Sequence, residues 1–301
     1  MSKRGAACVD AAAWNNQGDT EMSKKTVGFV GLGDMGLAMA GNLIKAGFPL
    51  IGYDLREERL SLLEKTGGDR ATGCADVGGK SDAVFVMVLN GEQAKQVVAG
   101  PGGLLETLKP GATIIVSATI SPAEVREVAA AADAKGVDLI DTPVSGGLGG
   151  AEAGTLTLMA AGKEAVLNDN RLVLEAVSAK IFHVGEEIGA GQTVKGALQA
   201  LIGTVFAGIF ESLVLGAKAG VKGETLYNVI ASTGVGCPLF ENCAKLIMDR
   251  KFEGTGSHIG TMYKDLGLSL AMARENGVPM FATGAAFELF QAGISSFPEG
   301  D

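Results

Sequence analysis

Short apolar runs alternate with segments of helical periodicity from about residue 24 to residue 185. Such runs, bounded by glycine or polar turns, predict buried strands, and apolar residues spaced three or four positions apart predict helices. The predicted strands are Thr26–Val30, Phe48–Asp54, Asp82–Leu89, Thr113–Val116 and Val137–Asp141, with Leu156–Ala160 and Ile181–Val184 as two further candidates. The predicted helices between them are Leu37–Ala46, Arg56–Lys65, Glu92–Val98 and Pro122–Lys135. This alternation predicts an α/β fold with a doubly wound parallel sheet.

The pattern changes at about residue 189, after which strand signals give way to long helical segments. The helices predicted there are Gln192–Ala219, Gly223–Thr233, Pro238–Met248, Thr261–Glu275 and Ala282–Phe290. We therefore predict a disordered extension at residues 1–23, a strand–helix domain at residues 24–188 and an all-helical domain at residues 189–301. A long interdomain helix is expected to join the two domains.

Glycine is the most unusual feature of the composition, because 45 of 301 residues are glycine, about twice the usual share. Collagen is excluded because there are only 8 prolines and glycine shows no triplet period. Disorder of the whole chain is excluded because 47% of the residues are hydrophobic. The glycines therefore predict a compact protein whose backbone closely approaches ligands or other chain segments.

The formal net charge of −9 argues against a broad nucleic-acid-binding surface. The cysteines are scattered and form no CxxC pair, and histidines are few, so we expect reduced thiols, a cytoplasmic location and no metal site. The apolar stretch Leu198–Ala217 contains Glu211, which would be costly in a membrane, and is interpreted as a buried helix of a soluble protein. Glycines in this helix cost about 1 kcal/mol each relative to alanine, so we expect them to mark close packing against another helix or subunit. They are Gly196, Gly203, Gly208 and Gly216.

A glycine-rich motif, Gly31-Leu32-Gly33-Asp34-Met35-Gly36, directly follows the first predicted strand and opens the first predicted helix. In this position the first glycine permits a tight turn, the second lets the backbone approach a pyrophosphate, and the third lets helix and strand pack closely. The N-terminus of the helix also attracts phosphate groups. The motif therefore predicts a Rossmann domain that binds a dinucleotide, against the alternative of a turn without a ligand.

Asp54 ends the second predicted strand, roughly 20 residues after the glycine motif, where an acid binds the adenosine ribose hydroxyl groups. A carboxylate at this place repels the 2′-phosphate of NADP, so we predict NAD as the cofactor. Arg56 lies two residues further on and suits a 2′-phosphate, so NADP stays possible.

Two later segments are candidates for the chemistry of a substrate. Ser145-Gly146-Gly147 offers a hydroxyl and backbone N–H groups to an anion such as a carboxylate, although a glycine-rich turn of purely structural role is the alternative. Lys195 lies near the start of the long apolar helix, where the helix dipole and burial both disfavour a charged ammonium group. This environment suits a lysine that exchanges protons, whereas a lysine on a helix is ordinarily solvated.

Four motifs, in order along the chain, resemble those of the β-hydroxyacid dehydrogenase family, which includes 3-hydroxyisobutyrate dehydrogenase, tartronate semialdehyde reductase and L-threonate dehydrogenase. They are the dinucleotide loop at Gly31–Gly36, a DxPVSGGxxxAxxGxL pattern at Asp141–Leu156, a GxGxxxK pattern at Gly189–Lys195 and a KDL segment at Lys264–Leu270. The resemblance covers about residues 25–295.

The resemblance implies a Rossmann domain, a C-terminal all-helical domain of the 6-phosphogluconate dehydrogenase type, and an active site between them in a homodimer or homotetramer. It implies an NAD(P)-dependent 3-hydroxyacid dehydrogenase (EC 1.1.1.-) that interconverts a small 3-hydroxy acid and its semialdehyde or keto acid. Lys195 is the implied general acid–base, and Ser145, Gly146 and Gly147 the implied carboxylate site. The implied cofactor contacts are Gly31, Leu32, Gly33, Asp34, Met35, Gly36, Asp54, Leu89, Asn90, Thr119 and Lys264.

The chain departs from the family pattern just after the lysine. Many members carry an asparagine three residues further on, where this chain has Leu198 followed by Gln199, and we assign substrate binding to Gln199 instead. The apolar Leu198 keeps open an NADPH-dependent imine reductase, although those enzymes usually carry Asp or Tyr at the lysine position. A non-catalytic dinucleotide-binding protein is a third hypothesis, against which the presence of Lys195 argues.

Overall fold

The computed structural model of the chain describes residues 24–298, so the predicted extension at residues 1–23 lies outside the described residues. The chain divides into two compact units, one that ends at Lys195 and one that begins at Gly196. The domain boundary predicted before residue 189 stays a prediction.

The first unit is built on a sheet of short, mostly buried strands. The strands are β1 Val27–Val30, β2 Leu50–Tyr53, β3 Asp69–Arg70, β4 Ala83–Val86, β5 Thr113–Val116, β6 Asp138–Asp141, β7 Val144–Ser145, β8 Leu156–Ala161 and β9 Ser178–Gly185. The helices are α1 Asp34–Lys45, α2 Glu57–Thr66, α3 Cys74–Lys80, α4 Gly91–Ala99, α5 Pro122–Asp133, α6 Gly147–Ala153, α7 Glu164–Asp169 and α8 Arg171–Glu175, with a 3₁₀ turn at Leu104–Glu106. Every strand and helix predicted for this region is present. The elements that the pattern missed, among them β3 and β7, are too short to show a periodicity.

The sheet has the topology that the alternating pattern predicts. Strands β1 to β6 are parallel in the order β3-β2-β1-β4-β5-β6. Strand β8 runs antiparallel to β6 and β7, and β9 pairs parallel with β8. The order reverses between β1 and β4, and in such sheets ligands bind beyond the carboxyl ends of the strands at that point. The prediction of a Rossmann domain is confirmed.

Alternate side chains of the central strands enter two apolar cores, one on each face of the sheet. Phe85 of β4 stacks on Phe29 of β1 in one core, with ring centroids 5.3 Å apart. Val84 and Val86, the neighbours of Phe85, lie in the other core. Burial of an apolar side chain of this size stabilises the fold by about 1.5–3 kcal/mol. The sheet is therefore held from both faces, and its carboxyl edge is a rigid platform.

The described residues of the second unit form helices with connecting loops and no strand, which confirms the predicted all-helical C-terminal part of the fold. It contains most of α9 Ala190–Lys218, with α10 Gly223–Ala231, α11 Pro238–Met248, α12 Ile259–Glu275 and α13 Phe281–Ser296. Seven of its buried apolar residues form two small clusters. One contains Ile209, Leu213, Phe240 and Ala244, and the other contains Leu266, Ala286 and Phe290.

Of the four glycines predicted to mark close packing in this helix, three face side chains of neighbouring helices. A Cβ atom at Gly196, Gly203 or Gly216 would lie between 2.6 and 2.9 Å from a side chain of α10 or α12. A Cβ atom at Gly208 would meet no atom within 4 Å. The predicted close packing is therefore present at three positions, whereas within the described chain nothing packs against Gly208.

Helix α9 is the one helix of residues 24–298 that is long and apolar enough to cross a membrane, judged by length and composition alone. A core helix of a soluble protein passes the same test, and Glu211 lies within α9. The interpretation of α9 as a helix of a soluble protein stays a prediction.

Candidate active site

The glycine-rich loop lies at the carboxyl end of β1, beside that of β4, at the switch point of the sheet. Gly31 has a φ of +93°, and a Cβ atom there would collide with the carbonyl oxygen of Met87. A Cβ atom at Gly36 would collide with the carbonyl oxygen of Gly31. At Gly33 the nearest atom to a Cβ would be an Arg56 guanidinium nitrogen at 3.8 Å. Two of the glycines therefore close the turn, and the third leaves the backbone open to a ligand.

Helix α1 starts directly after this loop, with Gly33 at its N-cap and Asp34 and Met35 in its first turn. Within the described chain, no side chain accepts a hydrogen bond from the first N–H groups of α1. The Asp34 carboxylate is paired with Arg59 at 2.9 Å. The unpaired N–H groups and the helix dipole at this end fit the pyrophosphate of a dinucleotide.

Asp54 directly follows β2 and is held between the glycine loop and Arg56. Its Oδ2 accepts a hydrogen bond from the Leu32 N–H at 2.8 Å, and its Oδ1 accepts from the backbone N–H of Arg56 at 2.9 Å and from Nε at 3.1 Å. Burial opposes ionisation of Asp54, but these hydrogen bonds and the charge of Arg56 hold its pKa below the ordinary value. Asp54 is therefore an ionised acid beside the glycine loop, and its charge is matched by Arg56.

Three further predicted cofactor residues lie at the same edge of the sheet. Leu89 and Asn90 follow β4, and Thr119 follows β5. Asn90 caps α4, because its Oδ1 accepts a hydrogen bond from the Gln93 N–H at 2.9 Å. Leu89 is 71% exposed. Since carboxyl ends of parallel strands meet at one edge, the structure brings these residues to the side of the sheet that carries the glycine loop.

The predicted catalytic lysine and the predicted carboxylate motif meet within the first unit. Lys195 lies in the second turn of α9 and is only 7% exposed. Its Nζ donates a hydrogen bond to the carbonyl oxygen of Val144 at 2.9 Å, across 51 positions of the chain. Val144 directly precedes Ser145-Gly146-Gly147, and a Cβ atom at Gly147 would meet no atom within 4 Å. A buried amine is thus bound to the backbone directly before the Ser145-Gly146-Gly147 segment.

Asp141 and Gln192 are polar residues of this region that sequence reasoning did not assign to the site. Both are buried, at the end of β6 and in the first turn of α9 respectively. Asp141 Oδ2 accepts hydrogen bonds from the N–H groups of Gly189 at 3.0 Å and Gln192 at 3.2 Å, and Oδ1 accepts from Gln192 Nε2 at 2.9 Å. Burial raises the pKa of Asp141 to about 6, although the hydrogen bonds oppose this shift. The only signal in the sequence for a role of Asp141 and Gln192 was their position inside the DxPVSGG and GxGxxxK patterns.

In the second unit, the two remaining predicted residues share one carboxylate. Gln199 Nε2 donates a hydrogen bond to Asp265 Oδ2 at 2.6 Å, and Lys264 Nζ lies 3.0 Å from Asp265 Oδ1. Gln199 and Asp265 are both buried. The structure therefore brings Gln199 and Lys264 together around Asp265, a residue that sequence reasoning did not single out.

No three His, Cys, Asp or Glu side chains within residues 24–298 converge in a way that could hold a metal ion. Three cysteines of this range, Cys74, Cys237 and Cys243, are free thiols. Cys8 lies outside the described residues.

Two family models match the chain, one over each of its halves. The NAD binding domain of 6-phosphogluconate dehydrogenase matches residues 26–185. The model described as NAD-binding of NADP-dependent 3-hydroxyisobutyrate dehydrogenase matches residues 189–301. Together they account for nearly the whole of the described chain.

Similar proteins match over most of both chains. The 2-(hydroxymethyl)glutarate dehydrogenase of Eubacterium barkeri is 38% identical over 89% of this chain and 88% of its own. The L-threonate dehydrogenase of Escherichia coli K12 is 35% identical over 88% of this chain and 87% of its own. A crystal structure of 3-hydroxyisobutyrate dehydrogenase from Salmonella typhimurium, 32% identical, covers 92% of this chain and 96% of its own with a TM-score of 0.84. An imine reductase from Myxococcus stipitatus, 20% identical with a TM-score of 0.65, shares the fold alone.

Proposed function

The chain belongs to the β-hydroxyacid dehydrogenase family, and we propose that it is an NAD-dependent oxidoreductase (EC 1.1.1.-) that interconverts a small 3-hydroxy acid and its semialdehyde or keto acid. The observation that carries this proposal is the hydrogen bond of 2.9 Å between Lys195 Nζ and the carbonyl oxygen of Val144. It holds a buried amine beside Ser145-Gly146-Gly147. The names of the two relatives above, which are dehydrogenases of threonate and of 2-(hydroxymethyl)glutarate, support a hydroxy acid as the substrate.

The residues at the switch point of the sheet fit a dinucleotide. The uncapped start of α1 and the open backbone at Gly33 suit the pyrophosphate. Asp54 is placed to accept hydrogen bonds from the adenosine ribose, where its negative charge favours NAD over NADP. We propose Leu89, Asn90, Thr119 and Lys264 as further contacts of the same cofactor.

The substrate carboxylate binds, in this proposal, to the Ser145 hydroxyl and to the backbone N–H groups of Gly146 and Gly147. These groups act without a metal, as backbone and hydroxyl donors do in other anion sites. The substrate hydroxyl group then faces Lys195. Gln199 is retained as a proposed substrate contact, although its amide nitrogen already donates to Asp265.

Lys195 transfers the proton of the reaction. When bound, the nicotinamide ring supplies the hydride acceptor for oxidation of the alcohol carbon. Lys195, as the neutral amine, takes the hydroxyl proton in that direction. In the reverse direction its ammonium form gives a proton to the carbonyl oxygen, and its positive charge stabilises the negative charge that develops there. Because Lys195 is buried, water competes little for this proton.

Substitution of Lys195 by alanine tests the proposal directly. We expect kcat to fall by about 100- to 10,000-fold, the usual contribution of a general acid–base group. Fluorescence titration with NADH should give an unchanged dissociation constant, because the glycine loop is untouched. Lys218→Ala, the same change at an exposed position of α9, is the control and should retain wild-type kcat. Near-normal turnover by Lys195→Ala would contradict the assignment.

A spectrophotometric screen that follows reduced nicotinamide identifies the preferred substrate and the preferred cofactor. The acids to compare are 3-hydroxyisobutyrate, glycerate, threonate, serine, 3-hydroxypropionate and 4-hydroxybutyrate, each with NAD and NADP. We expect one of them to give a clear maximum of kcat/KM with NAD. A preference for NADP would contradict the role proposed for Asp54. Reduction of a cyclic imine with NADPH would favour the imine reductase hypothesis instead.

The assembly and location are part of the same proposal, as a homodimer or homotetramer in the cytoplasm. Apolar side chains on α9 of the second unit are exposed, among them Leu201 at 62% and Leu215 at 72%. Exposed apolar surface of this kind marks contacts between proteins. Light scattering after size-exclusion chromatography measures the assembly, and a monomeric mass at working concentrations would contradict it.

A further inference from the structure

We propose that Asp141 and Gln192 are positioning residues of the candidate active site. Their buried side chains fix the start of α9, and with it Lys195, against the loop Ala118–Ile120. The inference rests on the proposed function, because it concerns the residues that hold its proton-transfer group and its cofactor loop in place.

Asp141 acts as the cap of α9 from another part of the chain. A helix N-terminus is usually capped by a Ser, Thr, Asp or Asn side chain directly before it, but α9 is preceded by Gly189. The Asp141 carboxylate supplies the missing acceptor across 48 positions, at 3.0 Å from the Gly189 N–H. A negative charge at this end of a helix is also favoured by the helix dipole. The start of α9 is therefore tied to strand β6 of the sheet.

The glycines of the GxGxxxK pattern are explained by this cap. A Cβ atom at Gly191 would lie 2.5 Å from the carbonyl oxygen of Met159, 2.8 Å from that of Asp141 and 2.9 Å from Asp141 Oδ2. Gly189 has a φ of +101°, in the left-handed region. A side chain at Gly191 would push the helix away from the carboxylate, so this glycine permits its close approach. A side chain at Gly189 would be strained by the backbone conformation and would meet Arg126 and Pro122.

Gln192 extends the cap to the loop that follows β5. Its Nε2 donates to the carbonyl oxygen of Ala118 at 3.0 Å, and its Oε1 accepts from the Ile120 N–H at 3.1 Å. These two groups flank Thr119, the proposed cofactor contact, on both sides. Lys195 lies one helical turn after Gln192, on the same side of α9. One buried network therefore holds the lysine and the cofactor loop in a fixed relation.

The charge of Asp141 sets the orientation of this network. All three hydrogen bonds to Asp141 are donated by N–H groups, so both of its oxygens act as acceptors, and the ionised carboxylate, which has no O–H of its own to place, fits this arrangement. Because Asp141 Oδ1 accepts, the NH₂ group of Gln192 must face it, and the Gln192 carbonyl must face the Ile120 N–H. A buried ionised group costs free energy that an apolar pair would not. Its presence is consistent with a role in orientation more than in stability.

Two single variants and their combination test this pairing. Asp141→Asn turns an NH₂ group toward the NH₂ group of Gln192, and Gln192→Glu turns a carboxylate toward that of Asp141. The double variant D141N/Q192E restores one donor facing one acceptor. We expect each single change to lower kcat by about 100-fold, the effect of a small displacement of a catalytic group, with a smaller change in KM for the hydroxy acid. We expect the double variant to exceed both single variants in kcat.

Glu187→Gln is the matched control. It also converts a carboxylate into an amide close to the start of α9, but its side chain is exposed, and it should leave kcat unchanged. A third variant, Gln192→Ala, keeps the inference testable if the other variants do not fold. In it Asp141 keeps its hydrogen bonds to backbone N–H groups, while the loop Ala118–Ile120 loses its two hydrogen bonds to Gln192. We expect faster amide hydrogen exchange at residues 117–121 in that variant.

Hydrogen exchange also separates this inference from the proposed function. Exchange at residues 189–195 should rise in both single variants and recover in the double variant, whatever substrate the enzyme uses. Exchange at residues 117–121 should stay high in Gln192→Glu and in the double variant, because a glutamate has no N–H for the Ala118 carbonyl. If the wild type oxidises no hydroxy acid, the proposed function fails while the exchange pattern still tests the network. Unchanged exchange and kcat in the single variants would overturn the inference. The inference would also be overturned if the fold-decrease in kcat of the double variant equalled the product of the two single fold-decreases. Independent sites behave in that way.

Discussion

Two glycines of the first unit and one glycine of α9 in the second unit face different kinds of neighbour. In the first unit a Cβ atom at Gly31 or Gly191 would meet backbone carbonyl oxygens, those of Met87 and Met159. In the second unit a Cβ atom at Gly203 would meet the side chain of Leu266. A backbone oxygen of a sheet cannot move without its strand, whereas a leucine side chain can change its rotamer. Gly31 and Gly191 of the first unit are therefore less tolerant of added volume than Gly203 of the second.

Elements of the first unit are also more deeply buried than those of the second. The central strands of the first unit are buried along their whole length, as in β4 and β5. In the second unit, α10 has no buried residue among its nine. A sheet covered on both faces holds backbone groups in place, while half-buried helices rest on adaptable side-chain contacts. This difference explains why most of the proposed ligand contacts are backbone groups and loops of the first unit.

The largest effect on stability is expected for Gly191→Ala. Its Cβ atom would overlap three oxygen atoms, two of them backbone atoms at 2.5 and 2.8 Å. The free energy of unfolding should fall by about 3 kcal/mol, the upper end of overpacking in a rigid environment. Chemical denaturation measures this loss. A loss below that of Gly203→Ala would break the comparison between the two units.

A pH dependence of similar size is expected from Asp141, whose pKa burial raises from 3.8 to about 6 in the folded chain. Protonated Asp141 therefore favours the folded state, and this contribution is complete below about pH 3.8 and lost as the pH rises through about 6. The total is about 3 kcal/mol. The wild type should gain stability relative to Asp141→Asn as the pH falls across this range. Denaturation at a series of pH values tests this, and a pH-independent difference between the two proteins would refute it.

A smaller loss is expected for Gly203→Ala. Its Cβ atom would lie 2.6 Å from Leu266 Cδ2, an atom at the end of a side chain. Overpacking costs about 1–3 kcal/mol, and the better helix propensity of alanine returns about 1 kcal/mol. The net loss should be about 1 kcal/mol in the free energy of unfolding. A loss equal to that of Gly191→Ala would show that the second unit is as rigid as the first.

Gly208→Ala should have the smallest effect, and one of opposite sign. A Cβ atom there meets nothing within 4 Å, so only helix propensity changes. We expect a gain of about 0.5–1 kcal/mol in the free energy of unfolding. Thermal or chemical denaturation measures it. A loss of stability would show that another surface, such as a second subunit, covers this part of α9.

Much of the fold could be predicted from periodicity, because long elements repeat their pattern several times. The short strands β3 and β7 were missed because two residues carry no period. The separation of the chain into a strand–helix part and a helical part was also readable, since the pattern changes once. The hydrogen bond between Lys195 and Val144 could not be predicted from the sequence, because the two-residue strand β7 that carries Val144 shows no periodic pattern.

The sequence by itself determined the family, the Rossmann sheet and the glycine loop beside Asp54, because these depend on local patterns that neighbouring residues share. Only the tertiary structure decided which buried groups meet: Asp141 with the start of α9, Gln192 with the loop around Thr119, and Arg56 with Asp54. These pairings depend on hydrogen bonds between segments that are mostly far apart in the chain. Their geometry is set by the packing of the sheet and its helices, which no local pattern records.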